Sequence, residues 1–170
     1  MITGSGYISR TMQSLIYFLT NEEYQKDGST KTLSTEYSGL NVTIGFPDSL
    51  EELELPTLAI MSNPMGGQTQ TFGMMAKLVP ISFSIYGFAG GEQTDGANKF
   101  LCDSLCNDAR EILEDSEFVT LYDYPDFDTS VGNMSIESVD SRFIEQTGNT
   151  EAEKYRFVVE LECEYLKKLG

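Results

Sequence analysis

Tyr155-Arg156-Phe157-Val158-Val159-Glu160-Leu161-Glu162-Cys163-Glu164-Tyr165-Leu166 reads as a β-strand. Apolar residues at 155, 157, 159, 161, 163 and 165 alternate with Arg156, Val158 and three glutamates. A period of two belongs to an extended chain with one face in a core and the other outside it. The fold must therefore be built on a sheet, and other segments supply partner strands. Leu40–Phe46 alternates through Val42, Ile44 and Phe46 and ends at Pro47. Thr57–Met61 follows Pro56, an allowed place for proline at a strand start. Met74–Phe88 sets Val79, Ile81, Phe83 and Ile85 on one side, with Ser82, Ser84 and Tyr86 on the other. Phe118–Tyr124 and Met134–Ile144 complete the set, with turns expected at residues 126–130 and 148–151.

Two segments carry the helical period instead. In Tyr7–Tyr24, Ile8, Met12, Leu15, Ile16 and Leu19 recur at spacings of three and four, with Ser5 as a candidate cap. From Thr94 or Asp95 to Asp115, Ala97, Leu101, Leu105, Ala109 and Ile112 form an apolar side, joined by Phe100 and Leu113. Gln25–Gly39 is polar and rich in Ser, Thr, Lys and Gly, and reads as a long loop or mobile arm. The expected architecture is one α+β domain over residues 1–170, an antiparallel β-sheet with two amphipathic helices packed on one face.

Composition narrows the chemistry. The 27 acidic and 11 basic residues give a formal net charge of −16, which repels phosphates and anionic membranes and disfavours direct DNA binding. Histidine is absent, which removes the commonest general base and the commonest transition-metal ligand. The three cysteines do not have the spacing of a disulfide framework and read as small buried thiols. No stretch approaches the ~20 apolar residues of a membrane span, and the first residues lack the basic leader of a signal peptide. Gly87-Phe88-Ala89-Gly90-Gly91 precedes a helix but lacks the pattern of a phosphate-binding loop. No catalytic, metal or cofactor site is expected.

Some acidic and polar clusters remain as candidates. Asp123, Asp126 and Asp128 crowd a turn, where a hydrolytic carboxylate pair is the functional reading and a solvated turn the simpler one. Asp126, Asp128, Ser130 and Glu137 fall at calcium-loop positions, but Val131 stands where that loop needs glycine. Glu160, Glu162 and Glu164 share one strand face, either a solvated outer face or the lining of an acidic channel. Met65–Met75 carries no charge and includes Gln68, Gln70, Phe72 and Met74. It is a candidate subunit or tube interface, since methionine adapts to irregular partners. Glu51, Glu52 and Glu54, in the short connection after Pro47, join that candidate interface.

The order of elements carries a resemblance. A leading helix is followed by the Phe46-Pro47 strand end and the Leu55-Pro56 strand start. Then come a long strand ending in Gly90-Gly91, a second helix, Leu121-Tyr122-Asp123-Tyr124 and two last strands. This order resembles the tail terminator (tail completion, or tail-to-head joining) proteins of long-tailed bacteriophages, over about Tyr7–Leu166. The resemblance implies a structural virion protein at the head-proximal end of the tail, assembled in the host cytoplasm. It implies a six-subunit ring that caps the tail tube and docks to the head connector or neck protein. DNA would pass through the ring without specific binding. Alternatives are a tail tube subunit or neck adaptor of the same virion, an acidic monomeric binding module, or a small carboxylate-dependent hydrolase.

Overall fold

A computed structural model describes residues 4–45, 56–63, 70–72, 76–91, 97–144 and 153–168. Helix α1 spans Gly4–Asn21, and the hairpin β1 (Tyr24–Lys26) and β2 (Ser29–Lys31) leads into one short helical turn, α2 (Leu33–Glu36). Strands β3 (Asn41–Ile44), β4 (Thr57–Asn63), β5 (Gln70–Phe72) and β6 (Ala76–Gly91) follow. Helix α3 (Ala97–Glu114) precedes β7 (Phe118–Asp123), β8 (Asp126–Ile144) and β9 (Glu153–Lys168).

The main sheet runs β3-β4-β6-β9-β8-β7, with β5 pairing onto the start of β6. It is not the expected antiparallel sheet backed by two helices. The described chain is mostly β, its six-strand path is mixed and curled into a half-barrel, and there are three helices. The mixture arises at one edge, where β3 pairs parallel with β4, Val42 opposite Leu58 and Ile44 opposite Ile60. Alternation of side chains is the same in either direction, so a period-two reading cannot report the sense of a pair. The curl is expected where long strands each contribute right-handed twist.

The last strand behaves as its alternation predicts. Phe157, Val159, Leu161 and Cys163 are buried, and β9 lies antiparallel between β6 and β8, in unbroken register with β6 and with one shift between Ile136 and Ser138 of β8. Helix α3 sets Cys102, Leu105, Cys106, Ala109, Ile112 and Leu113 into the same core. Phe100, expected on that side, is 75% exposed. Helix α1 contributes Met12, Leu15 and Leu19, and Ser5 lies inside it instead of capping it. At 16 residues, β6 and β9 are each about 50 Å long, against about 27 Å for the 18-residue α3. The strands are therefore nearly twice the length of the helix. At the β5 end Tyr165 is still buried in the core, while Leu166, on the face away from it, is 54% exposed.

One close approach fixes the centre of the sheet. Gly87 sits opposite Phe157, and the aromatic ring lies directly over it. A Cβ at residue 87 would come within 2.0 Å of the ring, so only glycine fits there.

Candidate functional site

The segment expected to be a mobile arm is folded onto α3. Asp27 and Gly28 both take positive φ, 52° and 76°, and turn the β1–β2 hairpin tightly. Thr32 and Thr35 then cap α2 reciprocally, side chain to backbone in each direction. This places Tyr24, Leu33 and Tyr37 in the core. Beneath them lies Asp108, a buried acid on α3. Its Oδ2 accepts hydrogen bonds from the Tyr37 hydroxyl at 2.5 Å, the Lys26 ammonium at 2.7 Å and the Tyr24 hydroxyl at 2.9 Å. Lys26 also reaches Glu36 at 3.0 Å, and Lys31 reaches the other oxygen of Glu36 at 2.5 Å.

The electrostatics follow from that geometry. Burial, then the bond to Asp108, pushes both tyrosine hydroxyls well above their ordinary range. Burial pulls the Lys26 ammonium down, but hydrogen bonds to Asp108 and Glu36 outweigh it and raise its pKa. Three donors share one acceptor oxygen and stay protonated, so the cluster works as a clamp that staples residues 24–37 to α3. Nothing in the hydrophobic pattern singles out Asp108. The missed local signal was Asp27-Gly28, a strong mark of a two-residue hairpin.

The glutamate column lies on the sheet face opposite the core. Glu162 is exposed, and Glu160 and Glu164 are half-buried. Hydroxyls flank all three. Ser84 donates to Glu160 Oε2 at 2.7 Å and accepts from Asn63 Nδ2 at 2.6 Å. Ser138 donates to Glu162 Oε2 at 3.2 Å, and Ser135 sits opposite Glu164 in register. Asp140 stands opposite Glu160, which widens the acidic strip onto β8. The strip ends where the same face turns apolar, at the buried Phe88 and Val158.

No protein-family model matches this chain, and no curated protein matches it in sequence.

Two of the three acids near residue 125 have side-chain partners. Asp123 pairs with Arg10 of α1. Asp126 accepts from the Asp128 amide at 2.9 Å and the Thr129 hydroxyl at 2.7 Å, and the Thr129 bond leads in lowering its pKa. Residues 126–144 form one strand after a cis Tyr124-Pro125 bond, so the four calcium-loop positions are strung along an extended chain instead of encircling a point. Phe127 anchors this hairpin to α1, stacked on Tyr17 at 4.5 Å with Tyr122 and Tyr124 edge-on to it.

Of the candidate interface residues, Glu51, Glu52, Glu54, Met65, Gln68 and Met74 lie outside the described residues. Gln70 and Phe72 stand on β5, opposite Leu78 and Ala76. That pairing puts both beside the first residues of β6.

Proposed function

We propose that this chain is a structural assembly protein of a long-tailed bacteriophage. It forms a ring, of six copies on the resemblance, that caps the tail tube and joins it to the head connector. The observation that carries this reading is a curled sheet that does not close. Among the described residues β3 and β7 end its six-strand path, and β5 pairs only with β6. Uncovered edges favour pairing with another chain, and two different edges on one subunit suit head-to-tail contacts around a closed ring. The β5 end of the β6–β9 ladder is a second contact region, where Gln70 and Phe72 are candidates for the tube or a neighbour. The acidic strip of Glu160, Glu162 and Glu164 is the candidate channel lining, which keeps DNA from adhering as it passes.

Negative-stain electron microscopy of the purified protein, alone and mixed with tail tubes of a related phage, tests the reading. Rings with a central hole, or rings seated on one tube end, are the expected result. Filaments would reassign the chain to the tube itself. Single particles that ignore the tubes would replace the ring by a monomeric binding module.

A further inference from the structure

The two strands that end this path differ in how far their edges are open. In β7, the Glu117 carbonyl accepts from the Ile136 amide at 3.0 Å, and Val119 and Leu121 stand opposite Met134 and Gly132. Antiparallel pairing alternates, so Phe118, Thr120 and Tyr122 aim their backbone groups away from β8. Helix α1 closes the last of these positions, for the buried Ser14 hydroxyl accepts the Tyr122 amide at 3.0 Å. Phe118 and Thr120 have no such partner among the described residues. They face a groove of about 480 Å³ between β7 and the end of α1, lined also by Tyr17, Phe18, Glu22 and Glu117.

At the opposite edge, the Asn41 and Gly45 amides donate to the Pro56 and Ile60 carbonyls of the β4 side, each at about 3 Å. In a parallel ladder the intervening Val42 and Ile44 then point their backbone groups outward. Each edge therefore offers two residues, and each bears an exposed apolar side chain, Phe118 at 46% and Ile44 at 47%.

We propose that β3 of one copy adds as a strand to β7 of the next, filling the groove beside α1. Charge favours this occupant. Glu22 and Glu117 flank the groove and are exposed, in a chain of net charge −16. Residues 38–45 are uncharged throughout, so this edge enters the groove without adding like charge. The pairing is heterologous, each copy giving β3 on one side and β7 on the other. This inference rests on the ring reading and assigns the contact that would build it.

The test uses prolines at outward amides, where the native ladder loses no bond. Thr120→Pro blocks β7 and Val42→Pro blocks β3. Light scattering after gel filtration should give wild type at a multiple of 18.9 kDa and each folded variant at 18.9 kDa. An equimolar mixture of the two variants should form a dimer and stop, because each retains the edge that the other lacks. If either variant perturbs folding, Ile44→Glu and Ile44→Lys replace it. The glutamate should dissociate the assembly and the lysine preserve it, a charge asymmetry that loss of packing alone would not produce. Rings from wild type and from both folded proline variants would overturn this pairing and leave the ring reading standing. A monomeric wild type would overturn both.

Discussion

Replacing Asp108 by alanine removes the acceptor from three donors at once. The Tyr24 and Tyr37 hydroxyls are buried, at 7% and 5% residue exposure, and Lys26 is only partly solvated. An orphaned buried donor costs about 1–3 kcal/mol, and breaking a buried ion pair by removing one partner costs about 3–5 kcal/mol. These overlap, because Lys26 keeps Glu36 and a loosened hairpin admits water. The expected loss is about 3–5 kcal/mol, a large part of the roughly 5–15 kcal/mol by which domains are stable. Urea unfolding should show it as a lower midpoint at unchanged slope. Amide exchange should accelerate most over residues 24–37, ahead of β6 and β9. Asp108→Asn should cost less, since it keeps one acceptor oxygen and loses the charge. A loss below about 1 kcal/mol for Asp108→Ala, with exchange over residues 24–37 unchanged, would refute the clamp.

Other expectations follow from the same packing and charge. Gly87→Ala should destabilise by at least the roughly 1–3 kcal/mol of an overpacked core, and Phe157→Leu should recover part of that loss, measurable by thermal unfolding. The folded pKa values of Tyr24, Tyr37 and Lys26 are raised, so their stabilisation is complete below the ordinary values near 10 and drains away as pH climbs above them. A near-ultraviolet titration should accordingly find two of the nine tyrosines ionising only as the hairpin opens. Replacing Glu160, Glu162 and Glu164 together by glutamine should leave folding and ring formation nearly intact but slow DNA delivery. Loss of assembly in that variant would make the strip an interface instead of a channel lining.

The strands of the centre were legible because each has one buried face and one open face. Phe83 and Leu161 go into the core while Glu162 and the opposing Ser82 face away from it, and a two-residue rhythm records that directly. Helix α3 was legible for the same kind of reason, through Leu105, Ala109 and Ile112. The sense of the β3–β4 pair was not, since hydrogen-bond direction leaves no trace in side-chain alternation. Polarity misled the reading of residues 25–39, because a tyrosine reads there as one aromatic among serines and threonines. Its burial depends on an aspartate more than seventy residues away on another element. Asp108 was itself invisible among the other polar positions of α3. The acidic strip was foreseen on β9, but its continuation to Asp140 needs the register with β8.

The placement of the thiols has a practical consequence. Cys102 and Cys106 on α3 and Cys163 on β9 are each at most 2% exposed, and burial pushes the Cys163 thiol up to about 12. A thiol-reactive dye can therefore reach them only when the helix lifts or the sheet parts. The unmodified chain thus carries its own reporters of two separate openings. Their labelling rates, resolved by peptide mapping, would rank which layer gives way first.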